Sequence, residues 1–192
     1  MDGEIPLSKS SVMNPKQSSI VLVIFLAMFS ATAAEGRSPQ NSEQMNFSAE
    51  HASVKRPVAI PQDVLALLSR DELVRNELES QNIPAERIPA SWFSASMIHL
   101  RSAREADLVV MLRVVRFHAA NVTMFWLFRP AAFGHELLFT GGGHNLTVKN
   151  TFWNGYREIE TSAVTMQKLS TVFYRFDGSQ YTRYKEKLEE IR

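Results

Sequence analysis

The residues in this chain best suited to chemistry are five histidines: His51, His99, His118, His135 and His144. A zinc site carried by one helix uses H-E-x-x-H, because positions i and i+4 share a helical face. His135-Glu136 begins that way, but the fifth position is Phe139 and the motif is broken. His118, His135 and His144 could converge from three loops, yet loop or partly buried histidines are the simpler reading. No metal and no cofactor are expected. Glu158 and Glu160 share one face of an alternating strand. With a histidine they could act as acid and base on a cell-wall polymer or carbohydrate. A solvated strand face explains them more simply. No G-x-S-x-G nucleophile turn occurs, and Ser94 and Ser96 in W-F-S-A-S have the spacing of one strand face. Gly141-Gly142-Gly143 lacks the Lys-Ser/Thr of a phosphate loop and leads into a strand, so it reads as a hairpin connection. No catalytic residue is assigned, and an enzyme is the less favoured class.

Aromatic residues crowd the C-terminal half, and most must be core, since alternate residues of half-buried strands supply it. Trp153 and Tyr156 flank an Asn154-Gly155 turn, where burial is hardest to arrange. Together with Arg157 they make up the residue types most enriched at energetic centres of protein interfaces. Trp153, Tyr156 and Arg157 are therefore the candidate partner-binding residues.

These side chains need elements to hold them. Residues 61–81 have helical periodicity, with Pro61 at the start and Val64, Leu65, Leu67 and Leu68 on one side. Ser69 followed by Glu72 has the capping-box spacing, so a second helix should restart there, with Leu73, Val74 and Leu78 inward. Pro84 and Pro89 then break the chain. From Trp92 the period becomes that of strands, expected near 91–100, 106–115, 121–129, 135–140, 145–151, 156–161, 168–176 and 180–184. Asn154-Gly155 and Asp177-Gly178 are hairpin signals, because both central residues of a type I′ turn need positive φ. The closing KEKLEEIR suggests a short helix.

The N-terminus carries a targeting pattern. Lys9 and Lys16 precede an uncharged apolar run from Ile20 to Phe29, followed by Ala31-Thr32-Ala33-Ala34. That is the order of a cleavable signal peptide. The run is shorter than the ~20 residues needed to span a bilayer. Cleavage is expected after Ala33 or after Ala34, leaving no stable membrane anchor. An uncleaved segment would instead make a membrane-anchored accessory subunit. Residues 1–33 are thus read as the signal peptide, 34–58 as a polar flexible leader and 59–192 as one domain.

Composition narrows the class. Net charge is +1, with 21 basic and 20 acidic residues mixed along the chain, so the basic footprint of a nucleic-acid binder is missing. There is no cysteine, which excludes thiol catalysis, thiolate metal sites, disulfides and lipid attachment through a thiol. An exported domain without disulfides fits a bacterial periplasmic or secreted protein.

Two segments echo each other. Asp107-Leu108-Val109-Val110 is followed after a gap by Phe125-Trp126-Leu127-Phe128-Arg129-Pro130. Arg157-Glu158-Ile159-Glu160 is followed by Phe173-Tyr174-Arg175-Phe176-Asp177-Gly178. Each joins an acidic-then-aliphatic strand to an aromatic strand that ends in a turn. The pattern resembles the strand pairs of FG-GAP-like and propeller-blade repeats in exported bacterial proteins. The W-F-S-A-S, N-G-Y-R-E-I-E and Y-R-F-D-G stretches also resemble those of uncharacterised exported bacterial β-rich domains. The resemblance covers residues 90–181 and implies export and β structure. It carries no catalytic residue and no D-x-D-x-D-G calcium loop, and two copies cannot close a propeller.

The expected class is α+β: an N-terminal helical segment packed on a mainly antiparallel β-sheet, rolled into a sandwich or an open barrel. The expected function is non-catalytic binding or inhibition of a protein partner in the envelope.

Overall fold

A computed structural model describes residues 43–50, 54–101, 105–114, 122–165 and 167–191, all within one compact unit. The expected signal peptide, with Ala33 and Ala34, lies outside the described residues, as do His51 and His118.

The elements are β1 (Asn46–Ser48), α1 (Gln62–Leu68), α2 (Glu72–Ser80), two short 3-10 turns, β2 (Phe93–Ile98), β3 (Asp107–Leu112), β4 (Thr123–Ala131), β5 (Gly134–Gly143), β6 (Asn145–Trp153), β7 (Tyr156–Thr165), β8 (Lys168–Phe176) and β9 (Tyr181–Glu190). The strands form a four-stranded sheet in the order β2-β3-β4-β5 and a five-stranded sheet in the order β1-β6-β7-β8-β9. Every pairing is antiparallel. The class is α+β as expected, in its sandwich form, and the described residues form no closed barrel.

Alternation along the four-stranded sheet explains the layering. In β3, Leu108, Val110 and Leu112 join Trp126 and Phe128 of β4 in a core with α1 and α2 residues Val64, Leu68, Val74 and Leu78. The intervening Val109 and Met111 join Phe125 and Leu127 in a second core shared with Leu146, Ile159 and Phe176 of the other sheet. Both faces of this sheet are therefore apolar, and each must be covered. The helices cover one face and the five-stranded sheet covers the other.

Asp71 fixes the helical layer. Its Oδ1 accepts the Leu73 and Val74 amides at 3.0 and 3.4 Å and caps α2. Its Oδ2 accepts the Trp126 indole N–H at 3.0 Å. The cap is thus Asp71 and not Ser69, because only Asp71 also reaches the sheet. The Ser69 hydroxyl turns back to the Ala66 carbonyl at 3.0 Å. Val74 and Leu78 face inward, but Leu73, in the first turn of α2, is exposed.

Several expectations are corrected. Residues 46–48, assigned to a leader, form β1 on the edge of β6 with Phe47 opposite Leu146. Phe47 is fully buried, and its burial together with the pairing to β6 holds this short segment. The three glycines expected to form a hairpin connection lie in β5. His144 alone carries the chain from one sheet to the other. A Cβ on Gly143 would lie 2.9 Å from the Ser162 carbonyl oxygen, so close backbone approach at this corner requires glycine. KEKLEE is strand and not helix: β9 continues to Glu190 because β8 supplies a full-length partner, and tertiary pairing overrides local helix propensity. The echoed segments become adjacent strand pairs, β3–β4 in one sheet and β7–β8 in the other.

A chain of hydrogen bonds crosses the seam between the sheets. The Leu100 amide donates to Asp107 Oδ2 at 2.8 Å. The Arg157 amide donates to the Leu100 carbonyl at 2.7 Å. The Tyr181 hydroxyl donates to the Arg157 carbonyl at 2.7 Å. β3, the β2–β3 connection, β7 and β9 are thereby joined through one line of hydrogen bonds.

The β8–β9 connection is not a two-residue turn. It spans residues 177–180, closed by the Phe176–Tyr181 pair, because Asp177 Oδ1 gathers the Ser179 and Gln180 amides and the Ser179 hydroxyl. Gly178 sits at φ +119° with no atom near the place a Cβ would take. Replacing it therefore tests backbone strain free of steric clash. Gly178→Val should lower stability by about 1–3 kcal/mol in denaturant unfolding. An unchanged midpoint and slope would show that the loop does not hold this conformation.

Candidate functional site

The β6–β7 hairpin carries all three candidate residues. Asn154 at φ +49° and Gly155 at φ +77° make the turn that Asn-Gly predicts. Trp153 pairs with Tyr156 and Phe152 with Arg157 across it. The structure then separates the three.

Tyr156 belongs to the core. It is 7% exposed, stacks on Phe176 with ring centroids 3.8 Å apart and accepts a hydrogen bond from Arg129 Nη1 at 2.8 Å. The Arg101 guanidinium lies 5.5 Å from its ring centroid. Its hydroxyl is satisfied inside the protein, which is the usual condition for burying a tyrosine. The expectation of an exposed Tyr156 is corrected.

Arg157 is half-buried. Its amide and carbonyl belong to the chain across the seam. Its guanidinium donates to the Lys149 carbonyl at 3.2 Å and to Asn150 Oδ1 at 2.7 Å, and lies 5.1 Å from the Phe152 centroid. These contacts brace the irregular stretch of β6, where register shifts between Val148 and Phe152.

Trp153 is 47% exposed and begins a solvent-facing cluster on the five-stranded sheet. The Arg175 guanidinium lies between two rings, 4.4 Å from the Trp153 centroid and 3.9 Å from that of Tyr184. Its Nε donates to Glu158. Beside this stack, Lys149 and Lys185 approach the Phe173 ring at 5.8 and 5.3 Å. Lys149 also pairs with Glu160 at 3.0 Å. The face thus interleaves aromatic rings with cations, and both of its β7 carboxylates are bound to a cation of the same sheet.

That pairing bears on acid–base chemistry. A hydrogen bond from Thr151, reinforced by the Arg175 guanidinium against some burial, holds the Glu158 carboxyl below its usual range. A general acid near neutral pH needs the opposite shift. His99 and His135 stand elsewhere. His99 Nδ1 lies 3.1 Å from Glu43, and His135 Nδ1 lies 2.8 Å from Asp63. His135 and His144 sit at the two ends of the ten-residue β5, roughly 30 Å apart by strand geometry. Among the described residues no group of three metal-ligating side chains assembles. Three cavities among those residues, about 370, 330 and 240 Å³, lie beside the helices and include neither Glu158 nor Glu160 in their walls.

Sequence reasoning found Trp153 and missed Arg175, Tyr184 and Phe173. Alternation in β8 held the signal for two of them: with Tyr174 and Phe176 turned to the core, Phe173 and Arg175 must face water. Tyr184 ends the expected strand 180–184, and its place on this face was hidden by the irregularity in β8–β9 pairing next to Phe173, which shifts the register of β9 against β8. Fold and face define an α+β sandwich with a solvent-facing aromatic and cationic platform. Comparisons with family models, curated proteins and solved structures find no match for the chain.

The hairpin makes opposite predictions for its two paired aromatics. Tyr156→Ala should cost about 3–5 kcal/mol of stability, on the scale of buried ring truncation. Trp153→Ala should cost less than about 1 kcal/mol. Denaturant unfolding of the two variants measures both. Equal losses would remove the distinction between a core side and an exposed side.

Proposed function

We propose that the chain is an exported, non-catalytic binding module for a protein partner in the bacterial envelope, acting in the periplasm or outside the cell. The observation that carries this reading is the Trp153–Arg175–Tyr184 stack, half-exposed on a sheet face held rigid by the core beneath it. Trp, Tyr and Arg are the residues that dominate interface energetics, and stacking fixes their rotamers before binding. A broad strand surface suits a protein better than a small molecule, which needs a concave site of several hundred cubic ångströms. Nucleic acid is disfavoured because Glu158 and Glu160 neutralise Arg175 and Lys149 within the face. Export rests on the Ala31-Thr32-Ala33 site behind the apolar run. No helix among the described residues is long and apolar enough to cross a membrane.

Two measurements test this reading. N-terminal sequencing of the exported chain should begin at Ala34 or Glu35, and an intact Met1 on protein from the envelope fraction would refute cleavage. A protein retained from envelope extract should lose about 2 kcal/mol of affinity, roughly thirtyfold, with Trp153→Ala. Phe133→Ala should change nothing, since Phe133 is a fully exposed turn residue away from the face. Equal affinity for wild type and Trp153→Ala would refute the assignment of the face.

A further inference from the structure

The most unusual group in the molecule lies outside that face. Asp107 begins β3 with a side chain wholly closed to solvent. Its carboxylate receives one hydrogen bond, from the Leu100 amide to Oδ2. Oδ1 is buried without a donor among the described residues. The nearest described cation, Arg101 Nη2, stands 3.6 Å from Oδ1, beyond hydrogen-bond length, while the same nitrogen lies 2.6 Å from the more exposed Glu105. Arg101 Nε is also buried without an acceptor. An ionised carboxylate removed from water needs a well-placed cation and several donors to offset lost hydration. Among the described residues Asp107 has one donor and a cation beyond hydrogen-bond length.

We propose that Asp107 makes the seam between the two sheets proton-responsive, with proton uptake tightening the seam and proton loss weakening it. The neutral acid keeps the essential bond, because a carbonyl oxygen still accepts the Leu100 amide, and it no longer buries a charge. The Leu100 and Arg157 peptides then stay in line with Tyr181. The ionised form keeps the same bonds but carries an incompletely compensated charge at the joint.

The described charged and titratable groups facing this site come from three directions. His99, Arg101 and Glu105 lie on the β2–β3 connection, Tyr156 lies beneath Arg101 on β7, and Tyr181 approaches from β9. Burial raises the Asp107 carboxyl above its ordinary range, and the Leu100 amide, Arg101 and His99 only partly oppose it. Burial and the nearby Asp107 charge push Tyr181 upward too, so it remains a neutral donor. A carboxyl raised in the folded state binds its proton more readily there than in the unfolded chain. Its contribution to stability is therefore full below the ordinary aspartate range, and declines as pH rises through its folded value.

The test compares denaturant unfolding of the full exported chain and its Asp107→Asn variant between about pH 4 and about pH 8. Asparagine keeps an acceptor for Leu100 and cannot ionise. The folding constant of wild type relative to the variant should fall by about tenfold or more as pH rises across this window. Parallel curves would overturn the proposal. So would a relative gain with rising pH, the behaviour of a well-made ion pair with Arg101. If the Asn variant does not fold, Arg101→Gln serves instead. Removing the partial compensation should enlarge the fall with pH, and a pH dependence equal to or smaller than wild type would overturn the proposal.

Discussion

Asp107 receives the Leu100 amide, Leu100 receives the Arg157 amide, and Arg157 receives the Tyr181 hydroxyl. Apolar packing holds two sheets together but is indifferent to small sliding motions, because it is non-directional. Directional bonds between fixed peptide groups are not. This chain sets where β7 crosses β3, and so decides which side of the β6–β7 hairpin meets the core. Tyr156 is drawn inward onto Phe176, and Trp153 is left beside Arg175 in water. The exposed face follows from the buried joint.

The four-stranded sheet imposes the other constraint. Its β3 and β4 residues are apolar on both faces, so two layers must cover it. Asp71 secures the helical layer by capping α2 and holding the Trp126 indole with one carboxylate. The five-stranded sheet supplies the second cover with its inner face and leaves its outer face uncovered. Polar and charged partners make that outer face soluble: Glu158 and Glu160 each hold a cation, and the cations rest on rings. Along the edge of this sheet, six of the ten residues of β9 are lysine, arginine or glutamate, which discourages pairing with another strand.

Period made the fold class and most strands legible in the sequence. The Asn154-Gly155 turn was legible because its backbone demands left-handed residues. β1 was illegible because three residues in a polar stretch carry no period, and Phe47 alone marks it. The last strand was illegible because KEKLEE has strong helix formers and its strand character comes from β8, a non-local partner. At the site, exposure of Trp153 could be guessed from its place beside a turn. The same reasoning failed for Tyr156, whose burial depends on Arg129 and Phe176, far away in sequence. The seam was invisible for a related reason: two of its four residues, Leu100 and Arg157, take part through peptide groups, which have no side-chain signature.

Amide hydrogen exchange at Arg157 tests the account most directly. If its N–H is held by the Leu100 carbonyl in a closed seam, it should exchange as slowly as Val110 in the middle of β3, although it lies near the end of a hairpin. Asp107→Ala should then accelerate Leu100 and Arg157 together, leaving Val110 among the slowest amides. Exchange at Arg157 in the wild type as fast as at the neighbouring turn residues would contradict the account, because the sheets would then be joined by packing alone.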